Sequence, residues 1–138
     1  MSYNRGSNFD TEHWYRERIK QRTKDALEQQ DEEFIAENED APDSVLLDAV
    51  RSRARELGYT PYPVEVTGGA LIIRRFGSWD RALTMARLPL PHGAHKLTDS
   101  RRYKDEYARQ QKLHRAEKKA KKEARLRRMR ELNQVKKN

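Results

Sequence analysis

The sequence predicts an all-α protein: a small tri-helical, helix-turn-helix-like core flanked by an acidic N-terminal helix and a long basic C-terminal helix. Three observations predict it. Between about residues 45 and 88, apolar residues recur at helical spacing in short blocks separated by Gly- and Pro-containing turns. On either side the chain is polar and rich in strong helix formers. Charged residues make up 38% of the 138 and hydrophobic residues 35%, with mean hydropathy −1.19. That is too polar for the whole chain to pack as one globule, so solvated or disordered segments should surround a smaller core.

Residues 11–37, TEHWYRERIKQRTKDALEQQDEEFIAE, contain neither Gly nor Pro. Asp10 or Thr11 can cap this helix. Tyr15, Ile19, Ala26, Leu27 and Phe34 give it a thin apolar face, which needs something to dock on. The acidic stretch NEDAPDS then reads as a linker, because Pro42 biases its predecessor away from helix.

The central helices come next. Leu46, Leu47, Val50, Ala54 and Leu57 form the stripe of the first, capped by Asp43 or Ser44 and stopped by Gly58 in a left-handed conformation. YTPYPVEV holds two prolines and reads as an extended turn. A short helix over about 67–76 carries Leu71, Ile72, Ile73 and Phe76, with Gly68 and Gly69 weakening its start. Gly77 turns the chain and Ser78 caps a third helix. There Trp79, Ala82, Leu83 and Ala86 fall at i, i+3, i+4 and i+7, before Leu88 and Pro89 close it. The loop LPLPHGAHKL leads to a final helix over about 101–133, capped by Thr98, Asp99 or Ser100. Tyr103, Tyr107 and Leu113 can dock on the core. Asp105–Arg109, Glu117–Lys121 and Glu123–Arg127 are i,i+4 pairs in the favoured order. Beyond them no core-forming face remains, so full order there should require a partner. The resulting divisions are 1–43 (helix and linker), 44–90 (tri-helical unit), 91–99 (loop) and 100–138 (basic tail).

Charge follows these divisions. Residues 1–43 hold 6 Lys/Arg and 12 Asp/Glu, a net −6. Residues 44–99 hold 8 and 5, a net +3; residues 100–138 hold 16 and 5, a net +11. So dense a basic segment points to a polyanionic partner, first of all nucleic acid. The opposite signs of the two ends also predict that the acidic segment folds back on the tail and competes with that partner, an effect that salt would screen.

LLDAVRSRARELGYTPYPVEV followed by IIRRFGSWDRALTMARL resembles a single homing endonuclease-associated repeat. In that family a helix ending in Leu-Gly leads to a Thr-Pro turn. A second helix runs into Phe-Gly-Ser-Trp, and Ala-Leu follows on the last. Here these positions are Leu57, Gly58, Thr60, Pro61, Phe76, Gly77, Ser78, Trp79, Ala82 and Leu83. The resemblance spans roughly residues 45–88 and implies a helical module of DNA-binding type. Two departures stand out. The family usually ends Ala-Gly-Leu, whereas Ala86, Arg87 and Leu88 replace the glycine with a cation. Only one copy is present, with neither a His-Asn-His-type metal pocket nor a paired-tyrosine nuclease pattern, so nuclease activity is not expected.

Trp79, Phe76 and Leu83 read as core, their alternative being base stacking. Arg81, Thr84 and Arg87 point away from Trp79 and Leu83, where they can reach phosphates or base edges if this helix enters a groove. Arg74 and Arg75 end the preceding helix, and Arg51 and Arg55 lie one turn apart on the first. In the tail, Lys118, Lys119, Lys121, Lys122, Arg125, Arg127 and Arg128 are candidates for contacts to phosphate without sequence preference.

The expected function is non-enzymatic nucleic-acid binding, with double-stranded DNA favoured. The rivals are an RNA- or ribosome-associated protein and a protein-interaction module docking through the N-terminal helix. No nucleophile–base set or phosphate-binding loop is evident, and no cofactor is expected. The sequence has no cysteine, and His92 and His95 are too few for a zinc site. No apolar run approaches a membrane span, and MSYNRGSNFD lacks a signal-peptide layout, so a cytoplasmic protein is expected.

Overall fold

The computed structural model describes residues 10–93 and 95–137. The signal-peptide reading of the first ten residues falls, all but Asp10, outside them. The described residues form five α-helices and no strand, so the chain is all-α. The helices are α1 (Thr11–Asn38), α2 (Asp43–Leu57), α3 (Gly69–Phe76), α4 (Trp79–Met85) and α5 (Arg101–Lys137). Two 3-10 turns, Pro63–Glu65 and Leu97–Asp99, join them.

Helices α2 to α4 enclose the apolar core. Leu46, Leu47, Val50, Leu71, Ile72, Phe76, Trp79, Ala82, Leu83 and Ala86 pack there with Val66 of the intervening turn. The turns act as the sequence predicts. Gly58 sits at φ +79 and donates its N–H to the Ala54 carbonyl at 2.9 Å. The Ser78 hydroxyl accepts the Arg81 N–H at 3.1 Å. The buried Trp79 indole donates to the Pro61 carbonyl at 3.1 Å, tying the Thr-Pro turn to the last helix. That hydrogen bond lets a large aromatic bury its one polar atom without a desolvation penalty.

Three boundaries differ from the expectation. Pro42, in extended conformation, takes the N-cap of α2 in place of Asp43 or Ser44. Asp43 is the first helical residue, and its carboxylate is held by Arg75 at 3.0 Å instead of capping a backbone N–H. YTPYPVEV contains a 3-10 turn, with Pro63 at the first position, where no N–H is needed. Helix α3 begins at Gly69, because Gly68 adopts φ +76. A Cβ on Gly68 would collide with the Phe34 ring, and one on Gly69 with the Pro63 carbonyl. Gly68 is therefore what lets α1 approach the repeat, and Gly69 what lets the Pro63–Glu65 turn close on the start of α3.

The second layer is an antiparallel pair of long helices. α1 starts on Asp10, whose carboxylate accepts the His13 N–H at 3.1 Å. It runs along α5 in a register where Asp31 meets Arg102, Gln30 meets Glu106 and Arg22 meets Glu117. Ile19 and Leu27 of α1 and Tyr103 of α5 are the buried apolar residues that this pair of helices contributes. They are too few to hold two such helices by area alone, at roughly 1.5–3 kcal/mol for each fully buried apolar side chain. Polar groups complete the seam.

Arg102, buried, forks onto Asp31 at 2.8 and 3.4 Å and donates to the Leu27 carbonyl at 3.2 Å. Asp31 also accepts the Gly68 N–H at 2.9 Å, so one carboxylate joins α1, α5 and the start of α3. Glu65 is fully buried; it accepts the Tyr59 hydroxyl at 2.8 Å and the Arg102 backbone N–H at 3.4 Å. Its carboxyl group thus lies at the N-terminal end of α5. Ser100 caps the same helix, accepting the Tyr103 N–H at 3.0 Å.

Tyr103 is buried, but beside α1 residues Glu17, Lys20 and Lys24 and not on the repeat core where the sequence placed it. Leu113 does not dock and stays 38% exposed. The buried stripe of α5 runs through Tyr103, Glu106 and Gln110 towards His114, and Leu113 falls beside it. None of the three expected i,i+4 pairs, Asp105–Arg109, Glu117–Lys121 and Glu123–Arg127, forms among the described residues. Asp105 meets Arg101 at 3.8 Å, Arg109 meets Glu106 at 2.7 Å, and Glu117 crosses to Arg22. The linker shrinks to residues 39–42, clamped by Arg75, which donates to the carbonyls of Glu39 (2.8 Å) and Ala41 (2.6 Å).

Candidate nucleic-acid interface

The predicted contact residues divide by what already holds them. Arg75 is consumed by the α1–α2 connection. Arg74 pairs with Glu39 at 3.2 Å on the surface. Arg51 donates Nε to the Ala86 carbonyl at 3.1 Å and meets Asp48 at 2.8 Å, satisfying an end carbonyl of α4. Thr84 bonds back to the Asp80 carbonyl of its own helix at 2.9 Å. That leaves Arg55, Arg81 and Arg87 exposed and outside any ion pair among the described residues.

Arg87 is unusual in its backbone. It is the sole non-glycine residue with positive φ among those described, at +60°. Its N–H donates to the Thr84 carbonyl at 3.1 Å, and the Leu88 N–H donates to Leu83 at 2.9 Å. This paired closure is the Schellman motif, whose left-handed position usually belongs to glycine.

The tail residues form the larger group. Helix α5 is 37 residues long, about 55 Å at 1.5 Å per residue. From the α1 register, residues beyond about 122 run past Thr11, the first residue of α1, and lie beyond that helix among the described residues. Lys118, Lys119, Lys121, Lys122, Arg125, Arg127 and Arg128 are all exposed. Except for Arg127 they line, with Arg115 and Ala124, an open groove of about 880 Å³ among the aliphatic stems of cations. The repeat rim and this arm are two separate groups: α5 reaches the repeat at its own start, through Arg102.

A further set of cations is placed by the structure and escaped the sequence reading. α1 is acidic in sum, yet residues 11–24 carry five Lys/Arg and two Asp/Glu, while residues 25–40 carry eight acids and no base. The antiparallel register brings the basic half beside α5 residues 109–122. Arg16, Arg18, Lys20, Arg22 and Lys24 thus join the basic end, and the acids gather near the repeat. Counting charge by helix half would have revealed this. The fold-back of the first segment on the tail does occur, but with an inverted pair: Arg22 of α1 forks onto Glu117 of α5 at 3.0 and 3.2 Å. That bond holds the Glu117 carboxyl below its usual range. Among the described residues, no ion pair links an acid of α1 to a cation beyond Arg102.

No group of three or more His, Cys, Asp or Glu able to hold a metal occurs among the described residues. No helix among them is long and apolar enough to cross a membrane.

Residues 41–88, spanning α2 to α4, match the homing endonuclease associated repeat as a single copy. No curated protein and no solved structure matches the chain.

Proposed function

We propose that the protein binds nucleic acid without catalysing a reaction, duplex DNA being its main target. The carrying observation is the arm: a continuous helix with seven exposed cations over residues 118–128 and, among the described residues, no acidic partner from elsewhere in the fold. Such a density of exposed cations releases counterions from a phosphate backbone. The helical form of the arm favours DNA, because the B-form major groove admits an α-helix while the A-form RNA groove is too deep and narrow for side chains to read. The repeat match supports a nucleic-acid-related role. Arg55, Arg81 and Arg87 on the repeat rim supply secondary contacts. The apolar stripe of α1 is spent against α5 and the repeat core, which weakens the reading of that helix as a protein-docking surface.

The test is fluorescence anisotropy with a labelled blunt DNA duplex and a matched RNA duplex across a salt series. It uses the full-length protein and a variant in which Lys119, Lys121, Lys122, Arg125 and Arg128 are changed to Gln. Wild type should prefer DNA, with log affinity falling linearly in log salt. The variant should lose most of that slope, at about 0.9 per phosphate contact removed. Equal slopes for the two proteins, or preference for RNA, would overturn the assignment.

A further inference from the structure

Trp14 has no place in the fold described so far. It remains 44% exposed, and the buried stripe of α1 runs from Tyr15 through Ile19, Thr23 and Leu27 without it. An exposed indole on an otherwise polar helix gains nothing from water. Its neighbours are specific. Trp14 meets Tyr15 edge-on, with centroids 4.9 Å apart at 71°. Tyr15 lies tilted against His114 at 5.0 Å, bridging to α5. The Arg18 guanidinium stands 5.5 Å from the Trp14 ring centre, and the Lys118 ammonium 4.8 Å from that of Tyr15.

These side chains and Lys121 line a cavity of about 240 Å³. Glu117 also borders it and would repel an anion, but Arg22 engages both of its oxygens. The wall is therefore net positive around an aromatic platform. Lys118 and Lys121 line the groove of the arm as well, so the platform opens onto the proposed phosphate track.

We propose that this cavity is a stacking site for an unpaired nucleobase of a nucleic-acid strand. The base lies against the Trp14 indole, and Arg18, Lys118 and Lys121 hold the flanking phosphates. Base–aromatic stacking tolerates any sequence because every base has a π-face. A base inside a duplex offers no free face, so the site selects an unpaired nucleotide next to the duplex that the arm tracks. This rests on the nucleic-acid reading above.

The experiment compares two labelled hairpin duplexes, one blunt and one carrying a five-nucleotide oligothymidylate overhang. Proteins are wild type, Trp14→Leu and Trp14→Phe, all full length. Wild type should favour the overhang by about tenfold, within the range for stacking one base. Trp14→Leu should lose that preference and keep its blunt-duplex affinity, and Trp14→Phe should restore part of it. The overhang should quench tryptophan fluorescence in wild type but not in Trp14→Leu, whose remaining Trp79 is buried. Equal wild-type affinity for both hairpins overturns the stacking site and leaves the nucleic-acid reading standing. So does an equal loss on both in Trp14→Leu. Equal quenching by thymidine 5′-monophosphate reassigns the cavity to a free nucleotide and overturns the strand. Binding of neither hairpin by wild type overturns both readings.

Discussion

Arg87→Gly should make the protein more stable and, on the function proposed above, lower its affinity for duplex DNA. Arg87 holds φ +60 to close α4, and both closing hydrogen bonds are made by backbone atoms, Arg87 N–H to Thr84 and Leu88 N–H to Leu83. Glycine keeps these bonds. It also removes the left-handed penalty of a side chain with Cβ, roughly 1–2 kcal/mol. Against this stands the extra freedom glycine has in the unfolded chain, about 0.5–1 kcal/mol. The net gain is about 0.5–1 kcal/mol, or about 2–4 °C in Tm for a chain of this size. The exposed Arg87 side chain makes no ion pair among the described residues that would be lost. Calorimetry is the right assay, since helical dichroism would be dominated by the projecting arm. Arg87→Ala is the control: it removes the charge, keeps the strain, and should gain nothing. In the duplex salt series the log–log slope of both variants should be shallower than that of wild type by about 0.9 if Arg87 touches one phosphate. A glycine variant no more stable than wild type would refute the strain argument, and an unchanged slope would remove Arg87 from the interface.

The remaining predictions concern the fold that carries these groups. Trp79→Ala should cost about 3–5 kcal/mol and unfold the repeat, because it opens the core and frees the Pro61 carbonyl; urea unfolding followed by dichroism measures it. Gly68→Ala should destabilise the junction of α1 with the repeat, since its Cβ meets Phe34 and its φ is +76; hydrogen exchange should show faster opening of α1 with α3. Acid should weaken the α1–α5 seam. Burial pushes the Glu106 carboxyl up, but hydrogen bonds from Arg109, Gln110 and Gln30 outweigh it and hold it below its ordinary value. A group depressed in the folded state stabilises above its unfolded value, here 4.5, and that stability is lost as pH falls through the folded value. Glu106→Gln should flatten this part of the pH–stability curve, read by chemical denaturation between pH 6 and 3.

Local chemistry made the repeat legible in the sequence. Gly58, Ser78 and the Trp79 stripe act within one or two turns, so their neighbours along the chain are enough to read them. The same holds for the exposed cations of the tail, whose density needs no partner to be seen. Arg74, Arg75 and Arg51 were legible only as cations. Whether an arginine faces a phosphate or clamps its own backbone depends on which carbonyls and carboxylates the fold brings near it. For Arg75 these are Glu39, Ala41 and Asp43, more than 30 positions away.

By itself, the sequence determined the all-α class, the core and turns of the repeat, and the basic C-terminal helix, because periodicity, capping and φ preference are properties of short segments. Tertiary structure alone decided that α1 lies antiparallel on α5. It also decided that Glu65, Asp31 and Arg102 are the nodes joining repeat to helical pair, and that Trp14 shares a cavity with Lys118 and Lys121. The physical reason is that polar side chains read as surface until a distant segment buries them. The seam holding this protein's long helices together is built largely from such residues.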